Sequence, residues 1–182
     1  MAIAKHKKKF FDVEIPLLKK ETQLLGYDIN EIKNRIIKYD LTRILKGKSI
    51  EMNFKIEMND KKELTSIPIK MNMLPFFLRR MVRKGTNYIE DSFEAPCANT
   101  TLRIKPFLIT RRKVSRPIRN SLRIKAKEEL IEYLKDKPSE EIFDDILKNK
   151  LQKILSLKLK KIYPLSLCEI RMLEIVDHHN KI

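Results

Sequence analysis

The side chains whose type and spacing could do chemistry are cationic, and they are densest in one short stretch. Residues 111–127 read RRKVSRPIRNSLRIKAK, in which eight of seventeen residues are Lys or Arg and none is acidic. Guanidinium and ammonium groups donate charge-assisted hydrogen bonds to phosphate oxygens. The stretch therefore indicates contact with a polyanion, although the solvated face of a helix would have a similar composition.

An amphipathic helix is predicted to position these cations. Ser115 suits an N-cap, and Pro117 is tolerated in a first helical turn. Apolar residues recur every four positions, so they share one helical face that must pack on a core. These apolar residues are Ile118, Leu122, Ala126 and Leu130. A second row with the same spacing is cationic and consists of Arg119, Arg123 and Lys127.

A second basic helix is predicted between Pro75, which suits a first turn, and Gly85, which suits a helix end. Its apolar face consists of Phe77, Leu78, Met81 and Val82. Its cations are Arg79, Arg80, Arg83 and Lys84. Cations near a helix C-terminus also complement the helix dipole, and this purely structural explanation fits the last two cations better than the first two.

The whole chain is strongly basic. Its 182 residues carry 40 Lys and Arg against 24 Asp and Glu, a net charge of +16, which is typical of proteins that bind nucleic acid or an anionic membrane. No apolar run approaches the roughly 18 residues that a membrane-spanning helix needs. Residues 1–9 form a basic tail, with Lys7, Lys8 and Lys9 at its end, which we expect to be disordered until a partner binds. A localisation signal is the alternative interpretation of this tail.

Residues that could support catalysis or bind a metal are sparse. The sequence contains no P-loop, no G-x-G-x-x-G and no G-x-S-x-G motif. Its histidines, His6, His178 and His179, lie in the two tails, away from any cluster with ligand spacing. The pair Asp144-Asp145 could belong to a magnesium-dependent nuclease, but the solvated face of a helix is the more common role of such a pair. We therefore expect no enzyme activity, no cofactor and no metal site.

The hydrophobic patterns predict an α+β fold with a mostly antiparallel, barrel-like sheet. One basic helix is inserted between strands, and three C-terminal helices are followed by a final strand. The clearest strand is residues 49–58, in which apolar and polar side chains alternate. We expect residues 10–176 to form a single α+β domain and residues 177–182 a frayed tail. The two distant cysteines, Cys97 and Cys168, predict reduced thiols rather than a disulfide framework.

Aromatic side chains are few and mostly occupy positions typical of a core. Stacking of unpaired bases requires exposed aromatic rings among cations. Only Tyr88 and Tyr163 are candidates, and packing is the favoured interpretation for both. The cations therefore predict phosphate contacts, which give affinity and register rather than base recognition. Basic helices and tails suit structured RNA, which is recognised through its shape and backbone.

Several motifs occur in the same order as in a known family. In chain order, the shared motifs are Phe11-Asp12-Val13, residues 78–86 (LRRMVRKGT), Arg103-x-Lys105-Pro106 with Arg111-Arg112, Lys160-Lys161-Ile162-Tyr163-Pro164-Leu165, and Glu169-Ile170-Arg171. Through them the chain resembles the ribosomal S3Ae family of small-subunit proteins from archaea and eukaryotes, over nearly its whole length. It departs from the family at Phe10, where tryptophan is common, and at Ser166-Leu167, where basic residues are usual.

The resemblance implies a structural constituent of the small ribosomal subunit that binds small-subunit rRNA through its basic helices and tail. It implies a position on the platform, close to the mRNA exit and the 3′ end of the rRNA, beside neighbouring ribosomal proteins. It also implies location in the cytoplasm, within the ribosome, with no membrane and no small-molecule substrate.

Two other classes of function are kept as alternatives. The first is an RNA-processing enzyme or nuclease that acts on structured RNA, for which the sequence shows neither a carboxylate cluster nor a cofactor motif. The second is a DNA-binding architectural protein. It is disfavoured because base recognition in a major groove uses Asn and Gln side chains, and the predicted central helix contains only one of these, Asn120.

The residues expected to contact RNA come from the tail, the two basic helices, the loop between strand and central helix, and the end of the last helix. They are Lys7, Lys8, Lys9, Arg79, Arg80, Arg83, Lys84, Arg111, Arg112, Lys113, Arg116, Arg119, Arg123, Lys127, Lys160 and Lys161. Within this set, Arg112, Arg116, Arg119 and Arg123 are expected to form one continuous edge that faces the RNA.

Overall fold

A computed structural model of the chain describes residues 7–45, 47–59 and 63–176. The histidines of both tails, residues 1–6 of the predicted basic tail and the predicted frayed tail at 177–182 lie outside these described residues. Lys9, the last residue of the predicted basic tail, is the first residue of a strand.

The described residues contain nine strands and five α-helices, which confirms the α+β class. The strands are β1 (Lys9–Ile15), β2 (Lys20–Gly26), β3 (Ile36–Asp40), β4 (Ile50–Met58), β5 (Leu64–Met73), β6 (Tyr88–Glu90), β7 (Phe93–Pro96), β8 (Thr101–Thr110) and β9 (Leu165–Ile175). The helices are α1 (Ile29–Ile32), α2 (Pro75–Met81), α3 (Arg116–Lys135), α4 (Ser139–Leu147) and α5 (Lys150–Leu159).

The strands pair mostly antiparallel, as predicted, and β1 pairs parallel to β5 at Val13 and Leu64. The predicted barrel does not form, because the sheet is not closed. Within the described residues, β2 pairs only with β1, and β6 pairs only with β8. Each of these two strands is therefore an edge of the sheet.

Residue contacts divide the chain into two compact units. The first unit comprises Met1–Tyr39 and Met52–Ile69, and the second comprises Asp40–Glu51 and Lys70–Ile182. Strands β4 and β5 contribute residues to both units. The single domain expected for residues 10–176 stays a prediction, since two compact units can unfold together or separately.

The first unit contains a hairpin that the sequence analysis did not predict. Strands β1 and β2 pair antiparallel, with Lys9 opposite Gly26. Strand β2 was not predicted because its residues, KETQLLG, lack a regular apolar alternation and only Gly26 is buried. A Cβ at Gly26 would lie 2.9 Å from the side chain of Ile32, so a larger residue would disturb the core there. The buried residues of this core are Val13, Ile32, Ile56 and Leu64.

The second unit is built on the long antiparallel pair of β8 and β9. The pairing extends from Leu102 to Thr110 of β8, with register shifts after Lys105 and Ile109. Strands β6 and β7 both pair antiparallel with β8. Helix α3 packs against β6, β7 and α5. Because the chain passes from β8 to α3 through one short loop, this part of the sheet determines where the basic stretch begins.

Two element boundaries differ from the predicted ones. Strands β6 and β7 replace one strand predicted at residues 88–94, since residues 91–92 between them are not in strand conformation. Helix α5 ends at Leu159, where the Ile162 N–H donates to the Leu159 carbonyl (3.0 Å) and closes a turn. Ile162 and Ile154 were both expected on the buried face of this helix, but both are exposed: Ile162 lies beyond the helix end, and Ile154 lies within the helix.

Asp145 does not belong to a solvated aspartate pair, contrary to expectation. The residue is 2% exposed. Its carboxylate accepts hydrogen bonds from Tyr133 Oη (2.7 Å) and Lys137 Nζ (2.6 Å), and it lies 3.3 Å from Lys150 Nζ. The expectation fails because α3 and α5 cover this side of α4. The carboxylate on α4 thus links this helix to α3 through Tyr133 and to α5 through Lys150.

The contacts of this network determine its charge state. Burial alone raises the pKa of Asp145, but hydrogen bonds from Lys137, Tyr133 and Lys150 outweigh burial and hold that pKa below its usual value. Hydrogen bonds to Asp145 and to Tyr133 raise the pKa of Lys137. Both groups therefore carry their charges from about pH 4 to about pH 10.

Replacing Asp145 by Ala is expected to lower the free energy of unfolding by about 3 kcal/mol, because Lys137 loses a buried partner. Since the folded-state pKa of Asp145 is depressed, the stabilisation is present above about pH 4 and is lost as the pH falls through the folded-state pKa. Urea unfolding at about pH 7 and about pH 3 measures both effects. The wild-type and Asp145→Ala curves should lie closer together at the acid pH.

The neighbouring residue supplies the matched control. Asp144 forms an exposed pair with Lys148 one turn away, so Asp144→Ala should cost less than about 1 kcal/mol. Equal losses of stability for Asp144→Ala and Asp145→Ala at neutral pH would contradict the assignment of a buried network to Asp145.

Candidate nucleic-acid interface

Buried polar contacts fix the loop that carries the first cations of the basic stretch. The N–H of Asn87 donates to the hydroxyl of Thr110 (3.0 Å), and this fully buried hydroxyl donates to the carbonyl of Arg112 (2.7 Å). The N–H of Val114 donates to the side-chain oxygen of Asn87 (2.8 Å). We call Asn87, Thr110 and Val114 the loop clamp. The clamp holds the backbone of residues 111–115 against the end of β8.

Helix α3 begins at Arg116, directly after Ser115 and with Pro117 in its first turn, as predicted. The hydroxyl of Ser115 makes no capping hydrogen bond, so the predicted capping interaction is wrong. The buried residues of α3 are Leu122, Ala126, Leu130 and Leu134. The apolar seam is therefore confirmed over most of its length, and only Ile118 is half-buried instead of buried.

Three arginines at the start of α3 line an open groove of about 740 Å³, which we call the α3 groove. Its lining includes Arg116, Arg119, Asn120 and Arg123 from α3 and Tyr88 and Glu90 from β6. The arginines are three and four positions apart, so they lie on the same side of the helix. The structure brings these three together, and Arg112 is exposed in the loop that precedes them.

The arginine row has no acidic partner in the part of the chain that the structure describes. Glu128 and Glu129, farther along α3, pair with Lys125 at 3.4 and 3.3 Å, and Glu129 also pairs with Lys158. Glu90 is the acidic residue of the groove lining, and its carboxylate pairs with Arg171 of β9 (3.1 Å). The positive charge of the row is therefore uncompensated.

Arg119 differs from its two neighbours because it is half-buried. Its Nε is buried and has no hydrogen-bond acceptor among the described residues. An unsatisfied buried donor costs about 1–3 kcal/mol.

Helix α2 carries the second set of predicted cations and ends at Met81, earlier than predicted. Arg79 and Arg80 lie in its last turn, where they complement the helix dipole. Arg83 and Lys84 are exposed in the segment that follows the helix. The structure thus reverses the expected assignment, because the dipole explanation applies to the first two cations and not to the last two.

The apolar face of α2 is narrower than predicted. Phe77 and Leu78 are buried, whereas Val82 lies beyond the helix end and is 38% exposed. The guanidinium of Arg80 lies 5.4 Å from the centre of the Phe77 ring. Such a contact at an exposed position stabilises the fold by about 0.5–1 kcal/mol, so Arg80 also has a small structural role.

A second groove, of about 530 Å³, lies between α2 and β6, and we call it the α2 groove. Its lining includes Leu78, Arg79, Tyr88, Glu90, Phe107 and Arg171. Tyr88 and Glu90 line both grooves, so the two grooves adjoin along β6. The structure therefore connects Arg79 of α2 with the arginine row of α3 through one short edge strand.

The other predicted RNA-binding residues are exposed at separate places. In the second unit these are Arg111, Arg112, Lys113, Lys127, Lys160 and Lys161. In the first unit these are Lys7, Lys8 and Lys9. The ammonium of Lys127 lies 5.6 Å from the centre of the Phe93 ring, and that of Lys8 lies 5.4 Å from the centre of the Tyr27 ring. These two cations therefore also stabilise their own units.

Tyr88 and Arg171 line the grooves but were not predicted to do so. Tyr88, expected to pack, is 56% exposed. Strand alternation could have indicated this, because Ile89 is buried and its neighbours in the strand must face the other way. Arg171 belongs to a motif shared with the family, but its place in the groove could not be predicted, since only the pairing of β8 with both β6 and β9 brings it close to Glu90.

Within the described ranges, no three His, Cys, Asp or Glu side chains are placed to hold a metal ion together. Both cysteines are free thiols, and burial raises the pKa of Cys168 to about 12, so that thiol is protonated and a poor nucleophile near neutral pH. None of the helices that the structure describes has the length and apolar character needed to cross a bilayer.

Fold and surface together define a strongly basic α+β protein with arginine-lined grooves in its second unit. The model of the ribosomal S3Ae family matches residues 4–179. The chain belongs to the ribosomal S3Ae family, as its motifs indicated, and is thus a ribosomal protein of the small subunit. A comparison with curated protein sequences finds no match.

Proposed function

We propose that the protein is a structural, non-catalytic constituent of the small ribosomal subunit that binds small-subunit rRNA. The observation that carries the proposal is the row of Arg116, Arg119 and Arg123 in the α3 groove, without a carboxylate partner among the described residues. Like charges at helical spacing repel by a few tenths of a kcal/mol per pair. A polyanion in the groove replaces this repulsion by attraction, and rRNA is the polyanion of the small subunit.

The proposed contacts are mainly to the phosphate backbone. The predicted cations other than Arg119 are exposed, so they can meet phosphates without a change of fold. In the α3 groove, Asn120 and the hydroxyl of Tyr88 each offer both a donor and an acceptor to a base edge. Binding of this kind recognises the shape of folded RNA more than its sequence.

We further propose a position on the platform of the subunit, close to the mRNA exit and the 3′ end of the rRNA, and hence in the cytoplasm. This position follows from the resemblance to the family rather than from a feature of the fold. Exposed apolar side chains, such as Phe10 (70% exposed), Phe76 (56%) and Leu157 (68%), would supply contacts for neighbouring ribosomal proteins.

Co-sedimentation tests the proposal. Tagged protein expressed at a low level in its own cells should sediment with the small subunit in a sucrose gradient. It should also protect defined segments of small-subunit rRNA from chemical modification. Recovery of folded protein only at the top of the gradient would overturn the proposal.

Replacing Arg79 and Arg80 together by Ala should weaken rRNA binding by about a hundredfold or more, because two charge-assisted contacts of at least about 1.5 kcal/mol each are lost. The fold should persist, since both side chains are exposed and the contact of Arg80 with Phe77 is weak. Fluorescence anisotropy measures the affinity, and thermal melting measures the fold.

The double variant Lys135→Ala, Lys153→Ala removes the same charge from exposed positions elsewhere and should bind nearly as the wild type does. Unfolding of the Arg79, Arg80 variant would show that these arginines are structural, contrary to the proposal.

A further inference from the structure

Tyr88 on edge strand β6 is a feature that phosphate contacts alone leave without a role. The residue is 56% exposed, while the next residue, Ile89, is buried. The Tyr88 ring stacks on Phe107 with 6.1 Å between ring centroids and an interplanar angle of 22°. Phe107 is 2% exposed, so the tyrosine ring is supported by the core on one side and open to solvent elsewhere.

Cations flank Tyr88 in both grooves. Those of the α3 groove are Arg116, Arg119 and Arg123, and those of the α2 groove are Arg79 and Arg171. Glu90 is the acidic residue of both linings, and Arg171 already neutralises it by ion pairing. The surface around the exposed ring is therefore strongly positive.

We propose that Tyr88 is the stacking site for an unpaired nucleotide of an RNA strand whose phosphates are bound by the arginines of the α2 and α3 grooves. Exposed aromatic rings among cations bind single-stranded nucleic acid, because every base has a π-face and every linkage a negative charge. The groove volumes, about 740 and 530 Å³, lie in the range of sites for small ligands. The inference rests on the proposed function and adds a single-stranded element to the RNA that the protein recognises.

An RNA strand matches this surface better than a peptide does. A peptide would need several carboxylates close together to match the four arginines that have no carboxylate partner among the described residues, whereas an RNA strand carries one phosphate per nucleotide. Tyr88 adjoins the arginines of both grooves, so the strand can continue on either side of the stacked base.

The test uses the full-length protein and a single-stranded RNA of about seven nucleotides, within the usual site size for such strands. The strand carries one 2-aminopurine, a base whose fluorescence is quenched when it stacks. Quenching is expected with the wild type and with Tyr88→Phe, which keeps the ring, but not with Tyr88→Leu. The affinity of Tyr88→Leu for the strand should fall about 5- to 100-fold, whereas that of Tyr88→Phe should stay within about threefold.

Two outcomes would overturn the stacking site. If wild-type protein binds the strand without quenching the 2-aminopurine fluorescence, the stacking site is overturned. This result does not depend on the folding of any variant. Equal affinity of the wild type and folded Tyr88→Leu for the strand would overturn it as well.

Binding of structured small-subunit rRNA, measured in parallel, separates the two proposals. Tyr88→Leu should retain most of that affinity, because the arginines are unchanged. If the stacking results fail while wild-type protein still binds structured rRNA, only the stacking site is overturned. If wild-type protein fails to bind structured rRNA, the proposed function is overturned.

Discussion

Reversing the charge of Arg116 and Arg123 together should lower the affinity for small-subunit rRNA about a thousandfold and exclude the protein from assembled subunits. Both side chains are exposed and line the α3 groove. A hydrogen bond to a charged group contributes about 1.5–3 kcal/mol, so the loss of two costs about 4 kcal/mol, or three orders of magnitude in affinity. Repulsion between the new carboxylates and phosphates would increase the loss further.

The fold should tolerate this change. The buried seam of α3 lies away from both positions, and Glu in place of Arg116 would sit in the first turn, where a negative charge favours the helix dipole. Arg119 is left in place because it is half-buried and its replacement would alter packing. The melting temperature of the variant should stay within a few degrees of the wild type.

A matched charge reversal separates a local effect from an effect of net charge. The variant Lys135→Glu, Lys153→Glu changes the net charge by the same amount at exposed positions near the end of α3 and on α5. It should keep its affinity for rRNA within about tenfold, as expected for a loss of long-range attraction alone. Equal losses in the two variants would show that total charge, and not the α3 groove, determines binding.

Raising the salt concentration from about 50 mM to about 200 mM should weaken rRNA binding by three to five orders of magnitude, if about 6–10 phosphates are neutralised. Each neutralised phosphate releases counterions, so the logarithm of the affinity falls linearly with the logarithm of the salt concentration. The exposed cations on α2, on α3 and in the loop before α3 can supply this number of contacts. Titrations at several salt concentrations give the slope.

The slope should become shallower by about 1.5 when Arg116 and Arg123 are both replaced by Ala, because each lost contact removes roughly 0.7–0.9 from it. The variant Lys135→Ala, Lys153→Ala should keep the wild-type slope. An affinity that hardly changes over this salt range would contradict a phosphate-directed mode of binding.

The elements that the sequence predicted best are those whose own residues determine their conformation. Helix α3 begins where Pro117 and the four-residue apolar spacing indicate, and its seam is buried. Strand β4 is buried at alternate positions, as its apolar and polar alternation predicts. Strand β2 could not be predicted in the same way, because its pairing with β1 stabilises a segment that has little apolar character of its own.

In the candidate site, too, the residues placed by local sequence were predictable, and those placed by tertiary structure were not. The row from Arg116 to Arg123 was predictable, since helical spacing alone places its members on one side of α3. The grooves were not, because β6, β9 and both helices must come together before Tyr88 and Arg171 meet them. Asp145 was misjudged for a related reason: a position on a helix surface does not reveal that two other helices cover it.

Residues 111–115 are already ordered before any RNA arrives, since the loop clamp holds their backbone. Fixing the backbone of one residue costs about 1–2 kcal/mol of conformational entropy, and a mobile basic segment has to lose that freedom during binding. Here the loss has occurred during folding of the protein itself. Docking of Arg111, Arg112 and Lys113 can therefore proceed close to lock-and-key, with an association rate governed by electrostatic steering rather than by a search among loop conformations.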